Sequence, residues 1–393
     1  MSSKNTKIII EEILAAIDIP EGVYDKAAKR YEDLGGWFSR PESECARLDP
    51  HIYPQGSFRL GTVIRSDEFD LDVGCRLCSG ITKASHTQKQ LKALVGREME
   101  AYRVARRIKE QLEEKHRCWR LSYSDEFKFH EDVVPSIPED SAQRELLREA
   151  MIRSGSSEEI AQSVAEFAGA ITDNRSPNYE MISPDWRISN SEGYALWFEA
   201  RTKQTEQLTE RHALLAEAQV DDLPIPRRRL PLQQAIQVLK HHRNEMFADA
   251  PEGKPISIII TTLAALAYRG ESEIDDAIQR ILTDMDKYIH STVPRVPNPV
   301  NPAEDFADKW SDPNYRHLSL EDNFVNWLDS ARRDFGLISS TRDIEMIVEQ
   351  ARHKFGAALS AKSLEKRLGW PSIVSKPKVH QVTERPARPW SWD

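Results

Sequence analysis

Apolar side chains recur at helical intervals along the first forty residues. Ile9, Ile13 and Ile17 are spaced by four, and Pro20 stops the run. A second helix is predicted from about Glu21, with Tyr24, Ala27, Tyr31 and Leu34 on one face and Gly35-Gly36 as its end. Between Pro54 and Leu77 the period changes. A glycine- and serine-containing turn region leads into Phe69-Asp70-Leu71-Asp72-Val73-Gly74-Cys75, whose alternation is that of a strand. Residues 87–114 return to helical spacing, with Leu91, Val95, Met99, Tyr102, Ile108 and Leu112 as the stripe. Cys118 to Tyr123 and Phe127 to Val134 read as two strands, the second closed by Pro135 and Pro138.

Residues 140–172 read as polar, partly acidic helices, and 173–198 as an irregular aromatic stretch with Trp186, Tyr194, Trp197 and Phe198. A charged helix is predicted from there to about Gln219. Asp221 to Pro231 holds three prolines and Arg227-Arg228-Arg229, the composition of a linker. Beyond it the pattern is helical over 232–248, 255–269, 273–289, 319–334 and 341–357, and the tail from Lys376 is basic and proline-rich. No internal repeat is visible. The reading is an α+β fold in two lobes: a mixed lobe over 1–220 that includes the N-terminal helices, a linker over 221–231, a helical lobe over 232–375 and a tail over 376–393.

Composition narrows the function. The 393 residues are 39% apolar and 30% charged, as in a soluble globular protein, and the formal net charge is −9. Proteins that grip long RNA or DNA carry a basic excess, so small nucleotides fit this chain better than polymers, and no stable nucleic-acid partner is expected. Four cysteines (Cys45, Cys75, Cys78, Cys118) are too few for a disulfide scaffold. MSSKNTK does not begin a signal peptide, and the most apolar run, Ile256 to Tyr268, is too short to span a bilayer. A cytoplasmic protein with no membrane partner is expected.

Asp70 and Asp72 carry the first chemical signal. On a strand, side chains at i and i+2 share a face, and the rise of about 3.3 Å per residue sets their Cα atoms about 6.6 Å apart. Phe69, Leu71, Val73 and Cys75 occupy the other face, so one face packs while the other displays two acids. An ordinary solvated strand has the same pattern, but two further segments add to it. Upstream, Gln55-Gly56-Ser57-Phe58-Arg59 joins a glycine that permits unusual φ to a hydroxyl and a possible helix start, a combination suited to phosphate. Downstream, Asp132 sits beside Val133-Val134, where a charge needs a partner or a role. Beside the first strand it would bring a third carboxylate to the same metals. Nucleotidyl transfer spreads negative charge in its transition state, and two Mg²⁺ ions about 3.5–4 Å apart can clamp the attacking and leaving oxygens. Mg²⁺ prefers oxygen ligands, so a few carboxylates suffice, with Mn²⁺ as a substitute.

Other features read more plainly. Cys75-x-x-Cys78 is half of a zinc pattern without a second half. Lys240-His241-His242-Arg243 lies mid-helix, because Met246 and Phe247 extend the pattern past it, and suits either a solvated face or a triphosphate cleft. Lys89, Lys92, Arg97, Arg103, Arg106 and Arg107 read as a mostly solvated face, and Arg227 to Arg229 as exposed linker or partner surface. The aromatic residues of 186–198 suit core packing or stacking on a base.

Together Gly56-Ser57, Asp70-x-Asp72 and Asp132 resemble the nucleotidyltransferase superfamily with a polymerase-β-like core. The longer strings QGSFRLGTVIRSDEFDLDVGCRL and FHEDVVPSIP resemble a narrower branch, the bacterial cGAS/DncV-like nucleotidyltransferases of cyclic-oligonucleotide antiphage signalling. SNSEGYALWF, LQQAIQVLKHHRN, PISIIITTLAALAY and NPVNPAEDFADKW are similar to the same branch, so the resemblance spans roughly residues 50–310. It implies a bilobed enzyme, with a mixed sheet and a helical C-terminal lobe, that makes a cyclic di- or trinucleotide from ATP, GTP or other triphosphates. It further implies an effector that senses the product and possible regulatory partner proteins. By match to the family's motifs, Asp70, Asp72 and Asp132 would be catalytic and hold the two metals. Gln55, Gly56 and Ser57 would bind donor phosphates, and Lys240 and Ser257 would contact phosphate from the helical lobe. In some members the C-terminus is conjugated to a target, and the ending Trp392-Asp393 departs from the small residue usual there. A linear oligonucleotide synthase, a transferase acting on RNA or another acceptor, and a catalytically silent nucleotide-binding regulator remain open on the residues alone.

Overall fold

The computed structural model describes residues 3–66, 68–124, 127–202, 220–221, 223 and 229–370. The charged helix expected up to Gln219, Arg227 and Arg228 with most of the linker, and the tail from Lys376 lie outside the described residues.

Two helices, α1 (Ser3–Ile17) and α2 (Glu21–Ser39), precede a mixed sheet. Its path runs β1 (Pro50–Pro54), β2 (Glu68–Leu77), β5 (Lys128–Pro138), β4 (Trp119–Tyr123) and β3 (Glu113–Glu114), with β6 (Gly169–Ile171) and β7 (Arg187–Ser189) extending from the far end of β5. β2 and β5 are parallel, and the other pairs are antiparallel. A parallel neighbour needs a crossover, and the chain makes it through α4 (Gln88–Ala105), which packs on β4 and β5. The short α3 (Gly56–Leu60) links β1 towards β2.

Helices α5 (Ser141–Arg153), α6 (Glu158–Ala165) and α7 (Ser191–Arg201) follow β5. The helical part then comprises α8 (Pro231–Met246), α9 (Ser257–Ala267) and α10 (Ile274–Asp284), and, after a hairpin of β8 (Pro297–Asn298) and β9 (Asn301–Asp305), α11 (Asp308–Ser311), α12 (Leu320–Ser340), α13 (Ile344–Phe355) and α14 (Ala361–Leu368). No helix among the described residues is long and apolar enough to cross a membrane.

The buried apolar side chains form two clusters. One joins α2, the sheet and α4 through residues such as Tyr31, Phe38, Leu71, Val95 and Phe129. The other gathers the helices from α8 onward and takes in α6, α7 and Ile9, Ile10, Ile13 and Ile17 of α1. Helix α1 therefore packs with the helical cluster although it opens the chain.

Several expected boundaries move, each for a visible reason. α2 runs through Gly35-Gly36 to Ser39, because Phe38 is wholly buried and Gly35 lies where a Cβ would stand 2.7 Å from Val220 Cγ1. The glycine makes room for a neighbour and does not end the helix. α4 stops at Ala105, so Ile108 and Leu112 are not part of its stripe, and Arg107 turns the chain with φ 55°. β5 continues past Pro135, which pairs in register with Cys75 and still offers its carbonyl to Thr172 N at 3.4 Å. The stretch read as irregular contains β7 and α7; Trp186 lies in the sheet cluster, and Tyr194, Trp197 and Phe198 in the helical one. Lys92, assigned to a solvated face, is fully buried and donates from Nζ to the carbonyls of Lys115 and, at 2.8 Å, His116.

Candidate functional site

The register of β2 and β5 brings the acids together. Asp72 stands opposite Asp132, and Asp70 opposite His130, whose Nδ1 lies 3.3 Å from Asp70 Oδ1. Aligned residues of neighbouring strands share a face, so the three carboxylates gather on one side. Phe69, Leu71 and Val73 of β2 and Phe129 and Val133 of β5 are buried on the other. This is the arrangement the alternating pattern predicted, completed by a strand whose paired residues lie sixty positions downstream.

Electrostatics mark the site. Burial, then the nearby Asp132 and Asp70, pushes the Asp72 carboxyl up to about 7. Asp132 is held by Arg120 of β4, its register partner on the other side: Nε donates to Oδ1 at 2.7 Å and Nη2 to Oδ2 at 2.6 Å. The same Nη2 lies 3.5 Å from Asp70 Oδ1, so one guanidinium balances two of the three acids. Arg120 went unrecognised in the sequence because its tie to Asp132 depends on the pairing of β4 with β5.

The Gly-Ser turn is fastened to the same strand. Gln55 N donates to Asp72 O at 2.8 Å. Gly56 has φ +60°, and a Cβ there would overlap Asp72 Oδ2. Only glycine lets the backbone cross so close over the acid.

A cavity of about 370 Å³ opens from this turn towards the helical part, lined by Gly56, Ser57, Asp70, Asp72, Lys240 and Ser257 among others. Lys240 is 4% exposed and donates to Thr62 O at 2.8 Å. Burial, then Arg243, lowers its pKa to about 7, against the pull of Asp72. Arg243 Nη1 donates to Pro255 O at 2.8 Å and to Ser257 Oγ at 3.1 Å, so Ser257 opens α9 already oriented. Arg243 and Lys254 also line the cavity. All four residues of the basic run on α8 are buried, which excludes a solvated face; Lys240 and Arg243 line the cavity, while His242 Nε2 lies 3.0 Å from Asp334 Oδ2. A larger hollow of about 730 Å³ between α1, α10 and α12 contains none of these residues.

His51, Glu192 and Asp221 form a second acidic cluster, with ligand atoms within 4.8 Å of one another. Here the counter-charge is built in: His51 Nε2 lies 2.9 Å from Glu192 Oε1, and Arg76 Nη2 lies 2.6 Å from Glu192 Oε2. The cluster ties strands β1 and β2 to α7. The acid trio suits Mg²⁺ better. Its three donors are all carboxylate oxygens, whereas the second cluster includes an imidazole already paired with Glu192.

Three acids on a parallel strand pair, a Gly-Ser turn crossing one of them, and cations on the facing wall define a nucleotidyltransferase with a polymerase-β-like core. Residues 50–135 match the family model described as Cyclic GMP-AMP synthase DncV-like, nucleotidyltransferase domain. The chain is 27% identical over 377 residues to the c-di-GMP synthase of Roseivirga ehrenbergii, across 93% of this chain and 89% of that one. It is 25% identical over 391 residues to the cyclic dinucleotide synthase CdnG of Bradyrhizobium diazoefficiens, across 92% and 83%. The solved structure of the Bradyrhizobium diazoefficiens CD-NTase CdnG in complex with GTP has the same fold, with a TM-score of 0.61 at 19% identity over 93% of this chain and 97% of that chain.

Proposed function

We propose that this protein joins two nucleoside triphosphates into a cyclic dinucleotide, releasing pyrophosphate at each bond, as a signal in antiphage defence read by a separate effector. The observation that carries the chemistry is the parallel register that sets Asp72 against Asp132 under the Gly56 turn. The likeness to cyclic dinucleotide synthases along nearly the whole chain supports the product class.

Asp70, Asp72 and Asp132 would hold Mg²⁺, which when bound supplies charge to the reacting phosphate and acidity to the acceptor hydroxyl. Gln55 braces the Gly56–Ser57 turn on Asp72, so that Ser57 Oγ and the Gly56 backbone meet the donor phosphates. Lys240 and Ser257, backed by Arg243, take up the triphosphate charge from the facing wall. Arg120 turns from Asp132 as the site loads, leaving that carboxylate to receive the proton of the acceptor ribose hydroxyl. The ribose oxygen bonds to the α-phosphorus as the bond to pyrophosphate breaks, and a second round closes the ring.

Incubation of the purified chain with all four triphosphates and Mg²⁺ or Mn²⁺, followed by phosphatase and mass analysis, tests this. A phosphatase-resistant product with the mass of a cyclic dinucleotide is expected, and none from the Asp70→Asn, Asp72→Asn double variant. Products that phosphatase degrades would indicate linear synthesis instead. Product from the double variant would sink the metal mechanism.

A further inference from the structure

His51, Glu192 and Asp221 come from three separate parts of the fold: β1, the first turn of α7 and the segment that leads towards α8. All three are buried, and each offers a ligand atom within 4.8 Å of the other two. The backbone brings Asp221 there. Its N donates to Ile52 O at 2.9 Å, and Val220 bridges Ile52 in parallel. The His51 ring stacks on Tyr53, with centroids 5.2 Å and planes 23° apart, so its orientation is set.

Hydrogen bonds do not complete this cluster. Glu192 is paired on both sides, with Oε2 2.6 Å from Arg76 Nη2 and Oε1 2.9 Å from His51 Nε2. Asp221 is 4% exposed, yet its Oδ1 has no hydrogen-bond partner among the described residues. Its Oδ2 lies 3.9 Å from the same His51 Nε2, beyond hydrogen-bond reach. Two arginines stand nearby and are engaged elsewhere. Arg76 Nη2 also donates to Phe167 O at 2.8 Å, and Arg59 Nη1 donates to Glu199 Oε1. Arg76 Nε and Arg59 Nη2 are buried without partners, so neither reaches Asp221. A buried carboxylate without a donor is costly, and an ion-pair network alone leaves this one unexplained.

We propose that His51 Nε2, Glu192 Oε1 and a carboxylate oxygen of Asp221 bind a zinc ion, with water as the fourth ligand, and that the ion pins the segment leading into α8 onto β1 and α7. Bonds of about 2.0–2.2 Å set the ligand atoms of a tetrahedral zinc about 3.3 Å apart. The 2.9 Å and 3.9 Å separations from His51 Nε2 fall on either side of that spacing. Zinc takes the place of the proton between His51 and Glu192, and that proton passes to water. The two arginines oppose any dication, so donor type decides which one binds. An imidazole nitrogen with two carboxylates suits zinc, whereas Mg²⁺ keeps to oxygen. The site is distinct from the acid trio and stands whether or not the chain transfers nucleotides.

The test uses the full chain, stripped with a chelator, and Co²⁺, which enters zinc sites and absorbs visible light strongly when held by four or five ligands. One equivalent of Co²⁺ is expected to give a visible band that one equivalent of Zn²⁺ abolishes and excess Mg²⁺ leaves in place. The Asp70→Asn, Asp72→Asn double variant is expected to keep the band. Adding Asp221→Asn, a change of nearly the same shape, is expected to remove it. In the double variant Zn²⁺ should raise the melting temperature, and Asp221→Asn should abolish that rise. No band from the unaltered chain, a band lost with Asp70 and Asp72, or a band that survives Asp221→Asn would overturn the site. The titration of the unaltered chain needs no variant to fold, and His51→Gln serves as the second variant if Asp221→Asn does not fold.

Discussion

Alanine at position 56 would drive a methyl group into Asp72 Oδ2 and hold an L-residue at φ +60°. The backbone term alone costs about 1–2 kcal/mol, and displacing the acid by about an ångström would lower turnover on the order of a hundredfold. Gly56→Ala is therefore expected to lose activity well beyond its loss in melting temperature, measured side by side. Asp72 has the opposite balance. Its folded pKa of about 7 lies above the ordinary 3.8, so its contribution to metal-free stability is fully present below pH 3.8 and is lost as pH rises through about 7. Asp72→Asn should melt higher than the parent at pH 8 without metal, fail to gain stability from Mg²⁺, and make no product. A lower melting temperature for Asp72→Asn under those conditions would contradict the crowding of the three acids. At this scale the sequence is informative where period decides: two acids at i and i+2 can only share a face. Arg120 escapes notice because it acts across the pairing of β4 with β5, which no local pattern encodes.

Elements differ from their expected bounds wherever a neighbour overrides local preference. Gly35 should stop a helix, yet it sits inside α2 because Val220 presses on it. Gly35→Ala would gain about 1 kcal/mol of helix propensity and lose about 1–3 kcal/mol to overpacking. A net destabilisation is expected in denaturant titration, and Gly35→Ala combined with Val220→Ala should recover it. If the single variant is stabilised, the close approach is not what keeps glycine there. Lys92 shows the same limit, since a lysine on a helix reads as solvated until the turn carrying the Lys115 and His116 carbonyls folds over it. The long helices α8, α9, α10 and α12 were legible because their apolar faces repeat over three or more turns. The short strands β6 to β9 carry too few residues to show a period.

The molecule as a whole is joined by charges as well as by its two apolar clusters. Glu192, in α7, pairs with His51 of β1 and Arg76 of β2, and so couples helix to sheet. Against the cost of burial, Arg76 and His51 hold Glu192 below its ordinary 4.5, while His51, despite burial, is raised above 6.5 by Glu192. The Glu192 contribution is present above pH 4.5 and is lost as pH falls through its lowered value. The His51 contribution is present below pH 6.5 and is lost as pH rises through its raised value. Glu192→Gln should therefore cost most between about pH 4.5 and 6.5, on the order of 3–5 kcal/mol for breaking a buried pair. Unfolding midpoints across pH 4–9 measure it, and a flat difference would remove the network from the account of stability. A mixed sheet followed by helices is readable from the order of patterns, but the membership of α1 is not, because its partners lie more than two hundred residues away. Those partners are α8, α10, α12, α13 and α14, and Arg367 of α14 reaches Glu11 and Glu12 of α1. α1 leaves the ribosome long before α14. The sheet can close its core while translation continues, whereas α1 emerges with an apolar stripe that nothing yet covers. For most of synthesis that stripe is a site a chaperone can hold, and the helical half becomes protease-resistant only once residues beyond 360 have left the exit tunnel.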